Sequence, residues 1–336
     1  MESLPSSSSS SSQVADATVS SQPRLPPELL LDIIEAVLPA NPHALIPTCH
    51  ISARTLLSLC RVSRATYKRA SELLRQRCMY LDSSLRLADV LSCMPRIVPS
   101  LPATVSLKHI TSLYLAPFGA SLDDPLTAGS VRDLLCEVCE TLRRLVVKMP
   151  FSSLDPLEDR LGVRRTLREG FEQLYRLEEF VCLEEYPFLS VPDAHTDIWR
   201  LWPDLKRLVL FRVPMNSHWL WWDIATLPRL EHVVLARPLC VDAVNIKDEY
   251  FHKLPRDDDR LGREIKIVLM DAAYEIQGVR TDGWGEVDAE GRMTVETYEV
   301  PLPFYGDGSE GELVTEWVKR GALDGSIWEW EGEVVS

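Results

Sequence analysis

The chain has no surplus of basic residues: 36 Lys and Arg face 50 Asp and Glu, a formal net charge of −14 over 336 residues. A nucleic-acid surface needs clustered positive charge to meet phosphates, so this balance argues against one. No apolar run approaches the ~18 residues of a membrane span, and the N-terminus lacks the apolar stretch of a secretory signal. P-loop, G-x-S-x-G, H-E-x-x-H and G-x-G-x-x-G motifs are missing as well, which removes the commonest phosphate, hydrolase, zinc-protease and dinucleotide signatures. The eight cysteines (49, 60, 78, 93, 136, 139, 182 and 240) are spaced too irregularly for a disulfide framework in so long a chain. Cys136 and Cys139 have metal-like spacing but no matching second pair, and they are expected in the core of an apolar helix. The seven histidines are dispersed. The expectation is a soluble protein with reduced thiols, cytoplasmic or nuclear, without cofactor or metal, and not an enzyme.

What charge there is lies unevenly. From Asp271 to Ser336 there are 16 Asp and Glu against 4 Lys and Arg, a net of −12, which leaves only −2 for the first 270 residues. Residues 1–24 hold seven consecutive serines, Ser6 to Ser12, and few apolar groups. Such a segment cannot bury enough surface to offset its ordering entropy and is expected to be disordered.

At Leu25 the pattern changes. Pro26 and Pro27 suit a helix's first turn, where a missing N–H costs nothing, and Glu28 suits its positive end. Leu29, Leu30, Ile33, Ile34, Val37 and Leu38 then recur with helical spacing, and Pro39 and Pro42 end the stripe. A link with three prolines (39, 42 and 47) runs to about Arg54. A second helix with Leu56, Leu59, Cys60 and Tyr67, and a third from about Lys68 to Tyr80, complete a module over 25–80. Three short helices make a poor core, and so small a unit rarely stabilises itself without a partner. The first stripe is also wider than one buried face needs, so part of it is expected to stay open.

The run Leu25-Pro26-Pro27-Glu28-Leu29-Leu30-Leu31-Asp32-Ile33-Ile34, followed by Thr55-Leu56-Leu57-Ser58-Leu59-Cys60-Arg61-Val62-Ser63-Arg64, resembles an F-box. The extended link between the halves is similar to that of F-box proteins of filamentous fungi. The resemblance implies that Leu25, Pro26, Leu29, Ile33, Leu56, Leu59 and Val62 face the Skp adaptor of an SCF-type cullin–RING ubiquitin ligase, and that cullin is reached through that adaptor.

Beyond residue 100 a second pattern recurs. Ile110…Leu113-Tyr114-Leu115, Leu142…Leu145-Val146-Val147, Leu177…Phe180-Val181-Cys182, Leu205…Leu208-Val209-Leu210 and Leu230…Val233-Val234-Leu235 share one apolar spacing, with a weaker copy at Ile265–Leu269. This is similar to a long, irregular leucine-rich repeat. Each copy reads as a strand, and parallel strands need crossovers of about a dozen residues or more, usually helical. Ser130 to Cys139 and Leu161 to Leu174 supply amphipathic candidates. Inside the copies stand Arg143-Arg144, Glu178-Glu179, Lys206-Arg207 and Glu231-His232. Alternating charge on adjacent rungs favours sequential strand order. Tyr114, Val146, Val181, Val209 and Val234 should line one face, the concave one. Because monomers seldom expose such a strip, another part of the chain is expected to cover it.

The whole reads as an α/β protein: a three-helix F-box over 25–80, then an irregular leucine-rich-repeat-like solenoid with a parallel sheet over 100–270. An acidic cap over 271–336 follows, with a strand at Met293–Val300 and a closing helix bearing Leu313, Trp317 and Val318. Loops after the strands are the expected client-binding surface, with Trp219, Trp221 and Trp222 as candidate contacts. Two rival readings are a scaffold that holds the adaptor without a client, and an enzyme assembled from dispersed residues such as His218, Asp223 and Cys182.

Overall fold

A computed structural model describes residues 26–41, 44–92, 107–154, 159–191, 196–272, 276, 278–301 and 309–336. The Ser-rich lead, Leu25 and the helix breaker Pro42 lie outside the described residues. Helix α1 (Pro27–Ala36) starts with Pro27 in its first turn, as the sequence predicts. Helix α2 (Ile51–Leu59) opens at His50, whose Nδ1 accepts the Ser52 N–H at 3.2 Å. Helix α3 (Arg64–Arg77) begins earlier than the periodicity suggests. Ser63 and Thr66 form a reciprocal capping box, so Tyr67 belongs to α3 and the buried Thr66 is a cap. Ile34, Ile46, Ala53, Leu56, Ala70, Leu73 and Cys78 form the small core of this bundle.

The remainder is mixed α/β. In chain order it comprises β1 (Tyr80–Leu81), α4 (Ser84–Ser92), β2 (Ser112–Leu115), α5 (Pro125–Val138), β3 (Arg144–Lys148), α6 (Val163–Phe171) and β4 (Glu179–Leu183). Then come β5 (Arg207–Phe211), α7 (His218–Thr226), β6 (His232–Ala236), α8 (Ile246–Phe251), β7 (Ile265–Ala272), α9 (Trp284–Val287), β8 (Met293–Val300), α10 (Glu310–Asp324) and β9 (Glu333–Val334). Among the described residues the nine strands form one sheet in sequential order, parallel except for the short edge strand β9. Register follows the repeated apolar pattern rung by rung: Leu113, Leu145, Phe180, Leu208, Val233, Ile267 and Val295 pair in turn. On one face these side chains meet α4 to α8 in the larger core. Glu184, Arg212 and Arg237 follow the last residues of β4, β5 and β6 with φ of 70°, 51° and 51°. A left-handed non-glycine residue costs about 1–2 kcal/mol, and its recurrence marks one turn geometry shared by successive units.

On the other face, Tyr114, Val146, Val181, Val209 and Val234 form the predicted ladder, Val268 extends it, and α10 covers it with Val314, Val318 and Ala322. The cover is therefore intramolecular. The segment expected to cap the array's end does something else: β8 continues the sheet parallel to β7, and α10 lies over the sheet's second face. Only β9 closes the edge. Both faces being buried explains why the strands read as nearly unbroken apolar runs.

Charge alternation also appears in space. Glu178 pairs with Arg143 at 3.6 Å and Lys206 at 2.8 Å, half-exposed. Glu179 pairs with Arg144 at 3.1 Å and Arg207 at 2.7 Å beneath the α10 layer, and Arg207 also lies over the Trp328 ring. The fourth member departs from the alternation. Burial and the flanking cations Lys266 and Arg207 push the His232 imidazole down to about 4, so it is neutral near pH 7.

Candidate functional site

Two surfaces stand out, and the first is on the helical bundle. Helix α1 is apolar on two sides. Leu30, Ile34, Val37 and Leu38 turn into the bundle, whereas Leu29 and Ile33 are 50% and 48% exposed. Pro26 and Val62 are exposed too, and Leu59 is half-buried against the core. Leu56 is a correction: it is 0% exposed, locked between α2 and α3, and offers nothing to a partner's surface. Its neighbour Leu57 points out instead, and so does Ile51. Consecutive helical positions differ by about 100°, so Leu56 and Leu57 point different ways, and on α2 Leu56 enters the core while Leu57 does not. That rule was available in the sequence, but not which of the two it favours. Leu29, Ile33, Ile51, Leu57 and Val62 thus leave this bundle with large apolar side chains in solvent.

The proline-bearing link fixes how the bundle sits. A helix ends with unsatisfied carbonyls, and at α10 the link and the sheet supply their donors. Leu45 N–H donates to Leu323 O at 2.6 Å, Asn41 Nδ2 donates to Asp324 O at 2.8 Å, and the Arg144 guanidinium donates to Ala322 O. The same link binds α3 through Ile46 N–H to Arg77 O at 2.6 Å and Arg77 Nε to Ala44 O at 2.9 Å. The link is thus a strap between bundle and sheet.

The second surface is a cavity of about 980 Å³ outside the carboxyl ends of β3, β4 and β5. Phe151, Tyr186, Phe188 and Trp219 supply aromatic walls. Two carboxyl groups stand at its inner end. Asp197 Oδ2 accepts the Tyr186 hydroxyl at 2.5 Å, and that hydroxyl accepts the Trp199 indole N–H at 3.3 Å. Asp223 is buried, shares a hydrogen bond with Asp197, and has Arg200 Nε 3.3 Å from its Oδ1. Burial first, and the Asp197 charge second, push the Asp223 carboxyl up to about 7, with Arg200 opposing. Burial also raises Asp197. Buried Arg168 holds the adjacent wall, donating to Leu189 O at 3.0 Å and Thr196 O at 2.9 Å.

The tryptophans expected to contact a client separate. Trp219 is 65% exposed at the cavity wall. Trp221 is a correction: it is 0% exposed, inside the larger core, with its indole N–H on Met215 O at 2.8 Å. Trp222 is half-buried and packs against that core. Of the dispersed enzyme residues only Asp223 lines the cavity. His218 is exposed and bonded to Lys253 at 2.8 Å, and Cys182 is fully buried with its thiol pushed well up by desolvation. Cys136, expected in the core, is exposed on α5. Compared with protein-family models and with curated proteins, the chain matches none.

Proposed function

We propose that this chain is a substrate receptor of an SCF-type cullin–RING ubiquitin ligase. The F-box over 25–80 binds the Skp adaptor, and a degenerate leucine-rich-repeat-like solenoid holds the client. The observation that carries the reading is α1: one stripe is already used in the bundle's own core, yet Leu29 and Ile33 stay exposed on the other. Those are the positions the F-box resemblance assigns to the adaptor, and Val62 is exposed with them. The reading also gives the strap a purpose. A receptor contributes effective concentration, which depends on holding a client at a defined place relative to the adaptor.

Affinity purification of the tagged chain tests the proposal. The expected result is recovery of the Skp adaptor, a cullin and ubiquitin-conjugated proteins. Adaptor alone, without cullin or conjugates, would favour a scaffold that delivers no client. Recovery of none of them removes the proposal.

A further inference from the structure

We infer that the cavity beyond β3, β4 and β5 is a recognition site for a basic side chain, lysine or arginine, presented by an extended segment of a client protein. The inference rests on the receptor reading for the word client, and on the cavity alone for the chemistry. Asp223 is 2% exposed, lines the cavity, and its Oδ1 accepts no hydrogen bond. Burying a carboxyl in this state is costly unless something completes its coordination. Asp197 lies beside it on the same wall, already engaged by Tyr186. Aromatic rings around such a floor favour a cation through their negative faces.

The charges facing the pair are Arg200, which reaches Asp223 Oδ1 only through an ion pair at 3.3 Å, and Arg168, which lowers Asp197 from the side. Glu185 lines the cavity but accepts from Ser152 N and Oγ at 2.6 and 2.7 Å. Arg212 is exposed at the mouth. Arg168 is matched by Glu172 at 2.7 Å; with the two aspartates sharing one proton, their remaining single charge is matched by Arg200, and no surplus is left for a ligand. When an ammonium or guanidinium enters, that proton leaves to solvent, and the floor gains the single negative charge that meets it. Affinity for a cation should therefore rise with pH up to about 7, where Asp223 titrates, and level off above. The cavity also holds far more than one side chain, since about 980 Å³ is the upper range of sites that enclose whole ligands. Exposed Phe188 and Trp219 at the opening then suit apolar residues flanking the basic one.

The test uses the purified full chain and four hexapeptide pools fixed at the third residue as lysine, arginine, norleucine or glutamate, with spermidine as a free-amine control. Calorimetry at pH 6 and pH 8 is expected to show the lysine or arginine pool binding at least about tenfold more tightly than norleucine. Binding should strengthen by about tenfold from pH 6 to pH 8, with about one proton released per bound peptide at pH 6 and little release at pH 8. Asp223→Asn should remove the pH dependence and most of the preference for a cation. Trp219→Ala, at an exposed position whose loss cannot unfold the chain, should weaken all binding pools. Equal or better binding of norleucine or glutamate, or an unchanged profile in Asp223→Asn, overturns the proposal. So does the absence of binding by every pool, and tighter binding of spermidine overturns the peptide as occupant. The adaptor takes no part in this assay, so its outcome is separable from that of the affinity purification.

Discussion

Glu178 and Glu179 are consecutive residues on the same ladder, each between two cations, and they differ in burial. The outer pairs are screened by solvent, so Glu178→Gln should cost under about 1 kcal/mol. Glu179→Gln leaves Arg144, 3% exposed, as a buried cation without its carboxylate, and a loss of about 3–5 kcal/mol is expected. Urea unfolding of the two variants checks the contrast, and equal losses would mean that burial does not govern the ladder. Asp223 gives a second residue-scale test. Its carboxyl titrates in the folded chain at about 7, above the unfolded value of about 3.9. The folded state therefore binds the extra proton, and this group's contribution to stability is full below pH 4 and lost as pH rises through 7. Relative to wild type, Asp223→Asn should gain stability between pH 5 and pH 8, seen as converging or crossing thermal midpoints. The alternation of charge was readable from the sequence. The burial that separates Glu179 from Glu178 was not, because it depends on which face α10 covers.

At the scale of elements, α10 shows where sequence reading stops. Leu313, Trp317 and Val318 announce an amphipathic helix, and the apolar ladder from Tyr114 to Val234 announces a need for cover. Nothing local says that the one answers the other, since a helical stripe reveals which side is buried and not against what. Gly321 records the contact. A Cβ there would overlap the Trp330 ring, which stacks on Tyr298 at 5.2 Å. In an exposed helix, Gly→Ala gains about 1 kcal/mol. Here Gly321→Ala should lower the unfolding midpoint, because Trp330 must leave its place on the sheet. Val318→Ala, on the same helix and fully buried, should cost about 2–3 kcal/mol by leaving a void over the ladder. A neutral result for both would show that α10 does not pack the second face.

For the molecule as a whole, parallel strands in sequential order followed from the repeat spacing. Two exposed residues of the α1 stripe followed from its excess width. The cavity did not, because residues 151–154, 185–190, 196–200 and 212–223 come together only once three strands align. Trp219 and Asp223 were singled out from sequence, but for different reasons and never as neighbours. Trp221 shows the opposite limit: a large aromatic in a cluster is as good a core residue as a contact, and composition does not distinguish them.

Titration of purified Skp adaptor into the full chain decides whether the bundle is a docking module. The wild type should form a one-to-one complex. Leu29→Asp with Ile33→Asp should weaken it by about 1000-fold, as expected when two contacts each contribute about 2 kcal/mol, while thermal unfolding stays unchanged because both residues lie outside the core. A complex of undiminished affinity in the double variant, or none with the wild type, would contradict it.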